Sequence, residues 1–189
     1  MHRGRHMKLP AYEDIWNICK DYAARELKTT MKVRRGRRQC NESLVQFQTA
    51  CGKLGEYYAW YWLLQHDFEC DPPDLNVYTR HKSYDADLHA GVPIHVKTQT
   101  KESGAQFGRS WMFQLAGVTG GDGVLTRCGE AMIFVTIDLE TKTGEIVGPF
   151  RSDALIDLYR DPKLDRLKGI KSCIYYDDVR DLETWDLSI

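Results

Sequence analysis

The stretch that most limits what this chain can fold into is 84–99, reading Y-D-A-D-L-H-A-G-V-P-I-H-V-K-T-Q. Strand side chains alternate faces, and this run alternates polar with apolar over much of its length. Two short strands joined by a tight turn at Gly91-Val92-Pro93 are therefore predicted. Asp85 and Asp87 share one face of the first strand. His95, Lys97 and Gln99 share one face of the second, with Ile94, Val96 and Thr98 on the other. Such a hairpin gathers carboxylates, an imidazole, an ammonium and an amide on one surface, which makes it a candidate site.

The rest of the chain decides what supports the hairpin. Residues 131–138, A-M-I-F-V-T-I-D, are apolar and β-rich, so a central strand covered on both faces is predicted. Thr143-Gly144 then turns into 145–150, an antiparallel partner. Upstream, Ile15, Ile18, Cys19, Tyr22 and Ala23 fall at helical spacing after Pro10, predicting a helix over 10–27. A second helix is predicted over 44–66, capped by Asn41 or Ser43, with Tyr57, Trp60, Tyr61 and Leu64 on one face and Glu56 beside them. Gly52 and Gly55 lie inside it, each costing roughly 1 kcal/mol against alanine. That cost implies close packing of another backbone or a break between two helices.

Shorter segments follow from their punctuation. Asp71-Pro72-Pro73-Asp74 ends the second helix, and 77–79 reads as a short strand. Residues 101–109 read as a polar loop, and 110–118 as either helix or strand. The glycine-rich 119–123 lacks the G-K-[ST] ending that a phosphate cradle needs. A helix over 151–159, stopped by Pro162, and a last strand over 172–176 complete the order. No internal repeat is present. The expected architecture is α/β, a mixed central β-sheet flanked by helices.

The 189 residues suit one domain with a substantial core, taken as 11–189, and 42% hydrophobic content is ordinary for it. Residues 1–10, opening M-H-R-G-R-H, are expected to be disordered or an artificial extension. A net charge of −1 conceals a basic run, Lys28, Lys32, Arg34, Arg35, Arg37 and Arg38, and an acidic end with Asp177, Asp178, Asp181, Glu183 and Asp186. The basic run reads as a mobile linker or as an arm that grips phosphates. Six cysteines without a C-x-x-C pair, and no leader peptide, point to reduced thiols in the cytoplasm. His66 and Cys70 are the nearest approach to a zinc pair, and nothing completes a tetrahedral set. The longest apolar run, 57–64, is too short to cross a bilayer, so no membrane partner is expected.

Asp87 followed by the 95–97 pair supplies the residue types that metal-dependent phosphodiester hydrolysis uses. The arrangement resembles the PD-(D/E)XK nuclease superfamily. Tyr84-Asp85-Ala86-Asp87-Leu88 is similar to its D-x-D-L strand, and His95-Val96-Lys97-Thr98-Gln99 to its E-V-K-T-[RQ] strand. Gly52-Lys53-Leu54-Gly55-Glu56 resembles the G-x-x-G-E of its Holliday-junction-type members. The resemblance covers about 44–137 and implies a restriction-endonuclease-like core. It further implies a metal-dependent DNA endonuclease, with RNA as the other substrate class.

In that reading Asp87, His95 and Glu56 hold Mg2+ or Mn2+, Lys97 positions or activates the attacking water, and Gln99 contacts substrate or orders water. Lys32, Arg34, Arg35, Arg37, Arg38, Lys101 and Arg109 track phosphates, and a two-fold dimer is the simplest way for so short a chain to cut both strands. His95 departs from the family, which has an acid there. It brings one negative charge fewer and shifts preference from magnesium toward manganese. The alternatives are a catalytically inactive nucleic-acid-binding protein on the same scaffold, and an unrelated α/β protein whose hairpin charges are only surface.

Overall fold

The structure, a computed structural model, describes residues 5–36, 41–78, 86–115 and 129–187. In chain order the elements are β1 (Arg5–Lys8), α1 (Tyr12–Gly36), α2 (Glu42–Leu64), β2 (Leu88–Ala90), β3 (Val92–Thr100), α3 (Lys101–Phe107) and β4 (Ser110–Gln114). They continue with β5 (Ala131–Asp138), β6 (Thr143–Arg151), 3-10 turns at Asp153–Leu158 and Asp165–Leu167, β7 (Lys171–Tyr175) and the short α4 (Tyr176–Val179). Five strands form one sheet in the order β1-β6-β5-β3-β2, and β4 pairs with β7 in a separate ribbon. Among the described strands only β3 and β5 run parallel, so the sheet is mixed, as expected for this α/β chain.

The predicted hairpin forms, but its turn tightens onto one residue. β2 and β3 pair as Leu88↔Ile94 and Ala90↔Val92, leaving Gly91 alone at the corner. Gly91 has φ +70°, a left-handed conformation that costs glycine nothing and other residues a clash with Cβ. β5 is the central strand that its composition predicted. Ala131, Ile133, Val135 and Ile137 face one hydrophobic core, while Met132 and Phe134 face another, and all six are fully buried.

The first core is built by α1 and α2, the second by the β4–β7 ribbon and β6. In the second, Trp111 stacks on Phe134 at 4.4 Å and its indole N–H donates to the Val135 carbonyl at 3.1 Å. In the first, α2 lies so close to β3 that a Cβ at Gly55 would sit 1.8 Å from Thr98 Oγ1. This is the close packing that the helical glycines implied, though a side chain rather than backbone makes the approach. Gly52 meets nothing within 4 Å.

Several expectations change. The basic run is helical as far as Gly36, not a linker, because lysine and arginine are good helix formers and favour the negative end of the helix dipole. The expected loop 101–109 contains α3, capped by Thr100, whose hydroxyl accepts from the Ser103 N–H at 3.2 Å. Residues 5–8, expected to be disordered or part of an artificial extension, pair with β6 from Arg5↔Ile146 to Lys8↔Thr143. Val77 and Tyr78 are irregular, with Thr79 outside the described residues. β6 extends to Arg151 and a 3-10 turn replaces the helix expected over 151–159. Of the ambiguous 110–118, Ser110–Gln114 form strand β4, and 116–118 lie outside the described residues. Asn41 caps α2, its side chain accepting from the Leu44 N–H at 3.0 Å. The glycine-rich 119–123 lies outside the described residues.

Candidate functional site

β2 begins at Leu88, so among the described residues no strand pairs with β3 on that edge from His95 onward. Asp87 takes over the vacated hydrogen bonds. Its backbone N–H donates to the Ile94 carbonyl at 2.9 Å, and its carboxylate accepts from the Val96 N–H at 2.7 Å. These two contacts bracket His95 and hold the aspartate beside it.

Strand alternation then sends the motif residues two ways. α2 covers the face of β3 that carries Ile94, Val96 and Thr98. His95, Lys97 and Gln99 lie on the opposite face, in register with Met132, Phe134 and Thr136 of β5. On that face the His95 Nε2 lies 2.7 Å from Glu130 Oε2, with both side chains nearly buried. The Lys97 ammonium sits 5.1 Å from the Phe113 ring centroid. Gln99 donates to the Gly108 carbonyl at 3.1 Å and accepts from the Ser110 N–H at 2.9 Å, so it ties the end of α3 to β4.

On the α2 side, Glu56 is paired with Lys53 at 2.6 Å, one helical turn earlier. The Lys53 ammonium also donates to the Asp74 carbonyl at 2.9 Å and lies 4.5 Å from the Tyr22 ring. Burial, then the negative charge of Asp87, push the Glu56 carboxyl up to about 8 against the pull of Lys53. Burial pulls the Lys53 ammonium down, but the Glu56 charge and hydrogen bond more than offset it, and its pKa is raised. Glu56 and Asp87 are thus electrostatic neighbours, while His95 belongs to the other side. Among the described residues, no three His, Cys, Asp or Glu side chains converge to hold a metal ion.

A divalent ion nevertheless has donors of a suitable kind at the hairpin. Asp87 offers a carboxylate of which one oxygen is fixed by a backbone N–H. His95 offers an imidazole whose other nitrogen meets a carboxylate, the outer partner that ligating histidines ordinarily have. One or two protein ligands suffice for magnesium when water and phosphate oxygens complete the shell. Asp87, however, lies near Glu56 and Lys53 while His95 meets Glu130 on the other face, so the described residues do not gather these donors around one ion.

The expected phosphate contacts divide as well. Lys101 pairs with Asp138 at 2.6 Å and holds that carboxyl down at about 2. The Arg109 guanidinium stacks 3.7 Å from the Tyr176 ring, donates to Thr136 Oγ1 at 3.1 Å, and lies 2.9 Å from Glu145, off the hydrogen-bonding line. Arg109 is therefore a strut between β5, β6 and α4. Lys32, Arg34 and Arg35 lie on the last turns of α1, whereas Arg37, Arg38 and Asp85 lie outside the described residues.

Burial pushes the Cys19 and Cys51 thiols up to about 12, so they behave as core residues. Cys70 and Cys173 are also free thiols.

Two site residues were missed in the sequence. Lys53 stands three before Glu56 within the same motif, and that i,i+3 spacing is a helical pairing signal. Glu130 carries no such signal, since only the alignment of β5 against β3 brings it to His95. No helix among the described residues is long and apolar enough to cross a membrane. No protein-family model, curated protein or solved structure matches the chain.

Proposed function

We propose that the chain is a nucleic-acid phosphodiesterase whose reactive site is the edge of the β2–β3 hairpin at Asp87, His95 and Lys97. The observation that carries this reading is the bracket of Asp87 around His95, with Lys97 two residues along the same face. The element order is compatible with this reading: a helix bearing Glu56, the hairpin, α3, and β5 parallel to β3 follow one another in a mixed α/β sheet. Asp87 and His95 would hold the divalent ion, which would supply positive charge to a phosphoryl oxygen. Lys97 offers a second positive charge to the same phosphate. Glu56, raised to about 8, can hold or release a proton near neutral pH, and Lys53 keeps it in place.

The test is incubation of the purified chain with supercoiled plasmid DNA and, separately, single-stranded RNA, each with Mg2+ and with Mn2+. The expected result is nicked or cut DNA, with manganese the better ion, and a loss of at least ~100-fold in Asp87→Ala and in Lys97→Ala. No product from either substrate with either ion sinks the reading. So does an Asp87→Ala chain as active as the parent.

A second reading, nucleic-acid binding without cleavage, is favoured by the Lys53–Glu56 pair, where an internal ammonium already answers the helix carboxylate. It predicts salt-sensitive retention of DNA with no product.

A further inference from the structure

An aromatic-walled cavity lies away from the hairpin, beside β6, which stands two strands from β3 in the sheet. It holds about 270 Å³ between the end of α2, the middle of β6 and the chain over 179–187. Its aromatic walls are Trp62, Phe68, Phe150 and Trp185. Contacts within the protein hold the two indoles in place. His66 packs on Trp62 with ring centroids 4.2 Å apart, and its Nδ1 meets the Trp62 carbonyl at 2.7 Å. The Trp185 backbone N–H donates to the Pro149 carbonyl at 2.8 Å, and the Arg151 guanidinium lies 5.5 Å from its ring centroid.

Size, hydrogen bonding and charge then define what fits. A cavity of roughly 150 Å³ accepts one benzene ring, so this one has room for two fused rings. Trp62 is 8% exposed, and its indole N–H is buried with no acceptor among the described residues. Buried indole N–H groups ordinarily have a partner, and a ligand carrying an acceptor supplies one. Arg180, in the lining, is already answered by Asp177 at 3.2 Å and Asp181 at 3.3 Å. The same segment also carries Asp178, Glu183 and Asp186. An anion, including the phosphate of a nucleotide or of a nucleic-acid strand, is therefore repelled.

We infer that this cavity binds a small, flat, uncharged two-ring heteroaromatic molecule bearing a carbonyl acceptor, the chemistry of a free oxopurine base. The flat rings suit the aromatic walls, and the carbonyl answers the Trp62 N–H. Nothing in this assignment depends on the hairpin, and an inactive hairpin leaves its test unchanged.

The test uses the whole chain labelled with nitrogen-15, whose five tryptophans give separate indole N–H resonances. Trp62→Phe identifies the Trp62 signal. The probes are hypoxanthine, indole, which has two rings and no acceptor, and inosine monophosphate, which adds a phosphate. Hypoxanthine is expected to displace the Trp62 resonance. By calorimetry it should bind roughly 3–10-fold more weakly to Trp62→Phe, with indole losing less. Trp185→Ala, at a half-buried position and checked for folding by circular dichroism, should weaken both by at least ~10-fold. Inosine monophosphate should bind the parent more weakly than hypoxanthine does. An unmoved Trp62 resonance, equal losses of hypoxanthine and indole in Trp62→Phe, undiminished binding in a folded Trp185→Ala, or inosine monophosphate binding as tightly as hypoxanthine each overturns the inference.

Discussion

On the side of β3 covered by α2, Lys53 and Glu56 meet at 2.6 Å; on the side covered by β4, His95 and Glu130 meet at 2.7 Å. The distances are nearly equal and the circumstances are not. Lys53 and Glu56 are three residues apart on one helix, and the negative charges of Asp87 and Asp74 lie close by. His95 and Glu130 are separated by 35 positions and joined only by the parallel strand pair, with Lys97 on the same face. Excess negative charge in a buried setting turns the first pair into a proton store. A carboxylate at one ring nitrogen makes the second an oriented imidazole. The same sheet thus carries two polar pairs with different chemistry, one on each face.

The two faces also differ in what packs them, and Trp111→Ala should expose that difference most strongly. Trp111 is 1% exposed, stacks on Phe134 and bonds the Val135 carbonyl. Its removal is expected to cost about 3–5 kcal/mol in urea unfolding. A cost below about 1 kcal/mol would mean that the β4 side adds little to the stability of the sheet.

On the α2 side the corresponding probe is Gly55→Ala, which drives a methyl into Thr98. It is expected to cost about 1–3 kcal/mol. Thr98→Ala in the same chain should recover part of that loss, because the hydroxyl and methyl nearest to Gly55 are gone. An unaltered urea midpoint in Gly55→Ala would show that α2 stands farther from β3.

Proton storage at Glu56 has its own signature. An acid whose folded pKa is about 8 against an ordinary 4.5 binds its proton more tightly when folded. Its contribution is complete below pH 4.5 and is lost as pH rises toward 8, where the folded state has to ionise a buried group. Glu56→Gln removes this slope. Relative to the parent, the variant should gain on the order of 2–4 kcal/mol between pH 4.5 and 8.5, read from urea midpoints at each pH. Parallel pH profiles would place Glu56 in a solvated setting and erase the contrast between the two faces.

The smallest effect expected is at Gly52, which lines an open cavity of about 250 Å³ with Tyr22, Glu26, Gln48, Thr49, Lys53 and Glu56. Nothing stands within 4 Å of a Cβ there, so Gly52→Ala should stabilise α2 by about 0.5–1 kcal/mol, seen as a modest rise in Tm. Two helical glycines three residues apart should therefore respond with opposite signs. A shared sign would deny that only Gly55 touches the sheet.

Much of this molecule was legible in its residues. The buried strand Ala131–Asp138, the hairpin with its glycine corner, the α2 helix with its Asn41 cap and the mixed sheet all follow from local rules of periodicity, backbone freedom and capping. The face shared by His95, Lys97 and Gln99 follows from strand alternation alone. Local rules read the basic run wrongly, because a charged segment with a glycine looks like a linker until it is seen to continue a helix that packs on α2. They could not say which face of β3 the α2 helix would cover, and so could not tell that Glu56 and His95 belong to different sides. They could not find Glu130, since a register between parallel strands leaves no mark at either residue. Alternation along a strand is written into the chain by stereochemistry. Which layer covers each face depends on how distant apolar surfaces find one another, and only the assembled sheet decides that.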